Sequence, residues 1–216
     1  MLNKNLIAVT TVALLACTVD PYETGDSRLS YLNAELVELH IATPNKADYA
    51  ITDRQEQLLF DHPLTCPWAN TPDSLYRAML FYNRTPTAVE PLSASRVSVL
   101  TPTEQPKPQA VDPVKLESAW LSADKRYLNL RLGLMTGQPE QENSKQTLEL
   151  VRLKTETTQG GQRTAYLQLR HDQGGVPQYY TTHIYVSIPT RSVGAADTIR
   201  LSVHTYGGKV ERRFAL

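Results

Sequence analysis

Three histidines in the second half of the chain, His171, His183 and His204, are the first residues to test for chemistry, with Asp172 beside the first. An imidazole can hold a metal or relay a proton. Their spacing fits no compact ligand motif, such as two histidines one helical turn apart, so they read as turn or surface residues. No metal and no cofactor is expected. Serine chemistry lacks its usual frame, because no Gly-x-Ser-x-Gly elbow is present. Of the carboxylates, Glu35 and Glu38 fall on opposite faces of a strand unless a bulge realigns them. Glu140 and Glu142 sit in a polar stretch with Gln141 and Asn143 and read as solvated loop charges. Cys66, in Leu64-Thr65-Cys66-Pro67-Trp68, has no basic neighbour to activate a thiolate and reads as a small buried apolar residue. No catalytic residue is assigned, and the chain is not expected to be an enzyme.

The strands that would position such residues are clearest in the second half. Leu128, Leu130, Leu132 and Leu134 alternate with polar or small residues, as do Ala165, Leu167 and Leu169. The pattern recurs at Thr182, Ile184, Val186 and Ile188 and at Ile199, Leu201 and Val203, and Trp120 shares parity with Leu116. The last strand turns Val210, Phe214 and Leu216 inward. Period-two alternation broken by Gly160-Gly161, Gly174-Gly175 and Gly207-Gly208 predicts an antiparallel β-sandwich, Ig-like in its strand number and spacing. By the same parity His183 and Tyr185 face outward on one strand, Arg200, His204 and Tyr206 on another, and Tyr166 with Arg170 on a third. If these strands are neighbours, they form an aromatic and basic surface that Tyr179 and Tyr180 extend, a composition enriched at protein interfaces. The candidate binding surface is therefore Tyr166, Tyr179, Tyr180, His183, Tyr185, Arg200, His204 and Tyr206.

The first half predicts shorter strands at Tyr31–Ala42, Tyr49–Thr52, Gln57–Phe60, Tyr76–Asn83 and Val97–Leu100, which suits a small OB-type barrel. Apolar parity switches inside the first of these, from Ala34 and Leu36 to Val37, Leu39 and Ile41, and implies a bulge. Tyr49, Phe60, Tyr76, Phe81 and Tyr82 read mainly as core or turn residues. Four prolines between Thr101 and Pro113 read as a semi-rigid linker, placing the barrel at 31–106 and the sandwich at 107–216. The chain has 216 residues, 41% of them hydrophobic, enough for packed cores. Formal charge sums to zero but divides into −6 over residues 20–104 and +5 over residues 106–216. An acidic first half is repelled by phosphate backbones, so nucleic acid is not an expected partner.

The start of the chain carries the most specific signal. Lys4 precedes an apolar run from Leu6 to Leu15, too short to span a bilayer, and Leu14-Leu15-Ala16 then meets Cys17. This resembles the bacterial lipobox, in which the thiol accepts a diacylglyceryl group before cleavage. It implies a signal peptide at 1–16, lipid on Cys17, and a polar tether at 17–30. Two or three acyl chains give durable membrane anchoring where one does not.

The order of lipobox, small barrel and sandwich resembles the NigD-like family of Bacteroidota lipoproteins. So do His171-Asp172-Gln173-Gly174-Gly175-Val176-Pro177-Gln178-Tyr179-Tyr180, Ile184-Tyr185-Val186-Ser187-Ile188-Pro189 and Asp197-Thr198-Ile199-Arg200-Leu201. The resemblance implies an all-β chain, an OB-type barrel followed by a β-sandwich, in an outer-membrane lipoprotein of the cell envelope. It brings no established activity. The expected function is a non-enzymatic accessory protein with an envelope protein or glycan as partner. The alternatives are a glycan- or peptide-binding module and a bacteriocin-related immunity protein.

Overall fold

The computed structural model describes residues 32–104, 111–139 and 144–216. The signal peptide, Cys17, the tether, Glu140 and Glu142 lie outside the described residues. Five strands, β1 (Asn33–Thr43), β2 (Lys46–Thr52), β3 (Gln57–Thr65), β4 (Ser74–Arg84) and β5 (Val89–Arg96), close a barrel in the order β1-β2-β3-β5-β4. Val37, Leu39 and Ile41 of β1 fill it with Ala50, Leu58, Leu80, Tyr82 and Cys66. The barrel's fifth strand was expected at 97–100 but runs from Val89 to Arg96. Pro91 and the shortage of large apolar residues hide it in the sequence, and the proline is tolerated because the β4–β5 register slips beside its partner Tyr82.

The next two residues, β6 (Ser98–Val99), already pair with the sandwich. Its remaining strands are β7 (Lys115–Leu121), β8 (Tyr127–Thr136), β9 (Thr147–Thr157), β10 (Arg163–Asp172), β11 (Tyr180–Pro189), β12 (Thr198–Thr205) and β13 (Gly208–Ala215). One sheet runs β6-β11-β8-β7 and the other β13-β12-β10-β9. Pairing is antiparallel except at β6–β11 and β10–β12. Between the sheets lie Leu128, Leu130, Leu132, Leu150, Leu167, Leu169, Val186, Ile188, Ile199, Leu201 and Val203. Burying one such side chain is worth about 1.5–3 kcal/mol, so the alternating strands account for this core. The proline-rich stretch is not a free linker where it is described. Thr103 bridges to Val151 of β9 and Val114 to Thr205 of β12, so both its ends lie on the sandwich.

Two parity readings change. β1 pairs with β4 without a register break from Asn33 to Ile41, so no bulge separates Leu36 from Val37. Both residues are buried because both faces of the strand are covered: Val37 looks into the barrel, while Leu36 packs with Met79 and Val97 beneath Trp120 and Tyr185 of the sandwich. The register break of β1 comes later, against β2, between His40 and Thr43. In β7 a bulge between Leu116 and Ser118 reverses parity, so Leu116, Ala119 and Leu121 meet the core and Trp120 turns toward the barrel.

Candidate functional site

Arg77 lies on β4 between Tyr76 and Ala78. Ala78 is buried in the barrel, so period-two alternation sends Arg77 outward into the sandwich, where only 1% of its side chain is exposed. It meets Asn129 of β8 and Ser187 of β11, which are register partners. Their chain neighbours Leu128, Leu130, Val186 and Ile188 face the sandwich core, so these two residues face the barrel. Arg77 Nε donates to Ser187 Oγ at 3.0 Å. One Nη donates to Asn129 Oδ1 at 3.1 Å and to Asp53 Oδ2 at 2.9 Å, and the other contacts Asp53 Oδ1 at 2.7 Å. Ser187 donates to Asn129 Oδ1 at 2.7 Å, and Asn129 Nδ2 donates to Asp53 at 3.0 Å. The guanidinium also stacks 4.2 Å from the Tyr127 ring centroid.

A second group of contacts continues this latch. Glu38, on the outer face of β1, accepts from the Tyr127 hydroxyl and from Arg126, both at 2.6 Å. Asp124 accepts from Arg126 Nε at 2.6 Å, from Ser122 Oγ at 2.5 Å and from Gln55 Nε2 at 2.5 Å, and its own backbone N–H donates to the Asp53 carbonyl at 3.0 Å. The tips of the β2–β3 and β7–β8 hairpins are thus pinned together. Burial alone would raise the Asp124 pKa, but hydrogen bonds from Ser122 and Arg126 outweigh it and bring it down to about 2. Burial and the bond to Glu38 push Tyr127 up to about 12. Most of these polar groups are bonded to one another; Arg77 Nη1 and Asp53 Oδ1 meet as an ion pair without a hydrogen bond, and one Arg126 Nη is buried without a hydrogen-bond partner.

Beside the latch lies a cleft of about 490 Å³ between the two domains. Trp120 and Tyr185, ring centroids 6.4 Å apart and edge to face, form its aromatic wall, with Leu36 and Met79 as its apolar base. Asp53, Arg54, Glu35 and Ser122 bring polar groups to its lining. Trp68 and Tyr76, the aromatic pair that a barrel-centred site would use, instead stack edge to face against the barrel core, away from this cleft.

The structure divides the expected aromatic and basic surface in two. Tyr166 and Arg200 are register partners on adjacent β10 and β12, with Arg200 5.7 Å and Lys154 4.7 Å from the Tyr166 ring centroid. His204 belongs to the same sheet and donates to the Val111 carbonyl at 2.7 Å, and exposed Tyr206 follows β12. His183 and Tyr185 stand on β11 in the other sheet, whose outer face looks the opposite way. Tyr179 and Tyr180 are exposed at the start of β11. Tyr185 turns partly into the interdomain cleft, and His183 contacts Glu117 at 2.9 Å. The required adjacency therefore holds for β10 and β12 and fails for β11.

The other sequence candidates have structural surroundings. His171 is buried rather than at the surface; it bonds Gln146 at 3.3 Å, and burial lowers its pKa. The Asp172-Gln173-Gly174-Gly175 turn is a clamp: Asp172 accepts from Gly174 N–H, and Gln173 Nε2 donates to the Met135 and Val176 carbonyls. Cys66 is buried in the barrel, which raises its thiol pKa. Glu35 and Glu38 do lie apart on opposite faces. All five histidines have partners other than a serine, threonine or cysteine side chain, since His40 and His62 pair with Asp48 and Asp61. Among the described residues, no three metal-ligating side chains gather. The latch and the cleft were missed because Arg77, Asn129, Ser187 and Arg54 look like ordinary solvent-facing strand and turn residues. The doubled parity of β1 was the one signal that a second surface covers this face.

The family model for the NigD-like C-terminal beta sandwich domain matches residues 98–216. The chain superposes on the crystal structure of a NigD-like immunity protein from Bacteroides caccae with a TM-score of 0.65 at 21% identity, covering 85% of this chain and 96% of that one. A putative toxin-related protein from Parabacteroides distasonis gives a TM-score of 0.65 at 15% identity, covering 86% and 93%. A protein of unknown function from Bacteroides vulgatus gives 0.56 at 17%, covering 86% and 90%. At these identities the likeness is one of fold, and it spans barrel and sandwich together. No curated protein matches the chain.

Proposed function

The chain belongs to the NigD-like family, and on that premise we propose that it is a non-enzymatic binding protein of the cell envelope, held at the outer membrane by lipid on Cys17. Its two β-domains present one preformed surface to an envelope partner. The observation that carries this reading is the latch around Arg77. It couples barrel and sandwich through buried groups that bond and ion-pair with one another across the joint. A rigid two-domain surface lowers the ordering cost of association.

A second reading, a ligand-binding module for a glycan or peptide, is favoured by the aromatic cleft at the domain junction, a common place for ligand sites. The name borne by the Bacteroides caccae structure favours immunity as the purpose of partner binding. In-cell cross-linking of the native protein with mass spectrometry tests the main reading, using Cys17→Ser as the mislocalised control. A reproducible partner that is lost in the control supports it. Equal capture by both forms, or no reproducible partner, counts against it, and a captured toxin selects immunity.

A further inference from the structure

We propose that the interdomain cleft binds an organic carboxylate: an apolar or aromatic body seated on Trp120, Tyr185 and Met79, with its single carboxylate on Arg54. This rests on the second reading, that the cleft takes a ligand, and names that ligand's chemistry. At about 490 Å³ the cleft falls within the roughly 300–1,000 Å³ of small-ligand sites. Its walls come from both domains, and the pinned hairpin tips and the Arg77 latch hold those walls in place before any ligand arrives.

The polar lining decides the ligand class, because most of it is already committed. Both Asp53 oxygens take Arg77, and one also takes Asn129. The Ser122 hydroxyl donates to Asp124 and accepts from the Tyr127 N–H. Glu35 is hydrogen-bonded to the Tyr82 hydroxyl on the barrel side. A sugar ring needs several free donors and acceptors around its edge, and this lining does not offer them. A cationic ligand would meet the exposed Arg54 charge, and of the two lining carboxylates Asp53 is already paired with Arg77 while Glu35 interacts with the Tyr82 hydroxyl.

Arg54 is different. Its backbone N–H is held by Thr52 Oγ1 in the β2–β3 turn, but among the described residues its guanidinium has no hydrogen bond or ion pair. Glu56 lies within its field yet is gripped by Arg84 through two bonds of 2.7 and 2.9 Å. An exposed arginine in the lining of an aromatic cleft, its guanidinium without a closer partner among the described residues, is a fork for one carboxylate. Two sources share this chemistry: a free aromatic or aliphatic acid, and the C-terminal residue of a peptide.

The test uses the full chain in detergent, with protein-free detergent as the blank and Trp68→Phe so that Trp120 alone reports. N-acetyl-phenylalanine, its methyl ester and Gly-Gly-Gly-Phe with a free C-terminus are titrated by tryptophan fluorescence and checked by calorimetry. The acid is expected to saturate the signal and to bind roughly tenfold or more tighter than the ester. Arg54→Gln, an exposed substitution that leaves both cores intact, is expected to erase that difference while the ester stays within about twofold. A tripeptide extension that tightens binding points to a chain end, and unchanged affinity points to a free acid. Acid and ester binding alike, with Arg54→Gln silent, overturns the carboxylate assignment and leaves the cleft as a ligand site. No saturable change with any probe overturns the site itself.

Discussion

Replacing Arg77 by methionine should uncouple the two domains. The substitution keeps an unbranched apolar stem of similar reach but removes the fork that addresses Asp53, Asn129 and Ser187 together. It leaves the Asp53 carboxylate, 18% exposed, facing the buried Asn129 amide with no cation. Breaking a buried ion pair from one side costs about 3–5 kcal/mol, and the partial exposure of Asp53 places the expected loss at about 3. With a urea m-value of about 2 kcal/mol per M, the unfolding midpoint should fall by about 1.5 M. Since the latch joins two separate cores, the transition should also broaden or split, with Trp120 reporting the interface before far-ultraviolet circular dichroism reports the sheets. The double variant Arg77→Met/Asp53→Asn removes the orphaned charge and should recover about 1–3 kcal/mol of that loss. Arg77→Lys should lose nearly as much as Arg77→Met, because one ammonium cannot serve three acceptors in a fixed plane. A midpoint shift below about 0.3 M for Arg77→Met, or strictly additive effects in the double variant, would refute the idea that this network holds the domains.

Other perturbations test neighbouring parts of the structure. Gly174 has φ +57, and a Cβ there would come within 2.1 Å of the Lys145 carbonyl oxygen, so Gly174→Ala should destabilise by more than about 1 kcal/mol and Gly161→Ala, with open space around it, by less; chemical denaturation of both variants decides this. Tyr127, pushed up to about 12, keeps its proton in the folded state where the unfolded chain has lost it, so its stabilising contribution is intact below about pH 10 and is lost as pH rises through 12; alkaline denaturation of Tyr127→Phe should show a weaker pH dependence there. Burial holds His171 neutral below the ordinary histidine range, so its contribution is intact above that range and is lost as pH falls through it, and His171→Phe should flatten the acid limb of the stability curve.

Much of the fold is legible because one face of most strands decides their register. The leucines of β8 and the aliphatic residues of β10, β11 and β12 alternate, and the core assembles from them. Legibility fails where a strand is covered twice. β1 shows this plainly: Leu36 and Val37 are both buried, one beneath the sandwich and one inside the barrel. Read with one face in mind, such a strand looks bulged. The same second covering hides Arg77, Asn129 and Ser187, whose positions are outward by parity and buried by docking. Trp120 was misread for another reason, a bulge in β7 that no residue type announces. The expected single binding surface is divided by topology. Parity identified outward residues well enough, but it cannot say that β10 neighbours β12 while β11 belongs to the opposite sheet.

The latch also bears on why a polar interface stands where an apolar one would be firmer. Buried ion pairs are often no more stabilising than well-packed hydrophobic residues of the same volume, so stability alone does not explain Arg77 and Asp53. Orientation does. Leu36, Met79 and Val97 can slide against Trp120 and Tyr185 at little cost, since apolar contact has no preferred angle. A guanidinium bonded to residues on three different elements has one angle at which every contact is made. That angle sets the distance between Arg54 on the barrel and Trp120 on the sandwich, and with it the shape of the cleft. Because the cleft walls come from both halves, fixing the joint fixes the cleft.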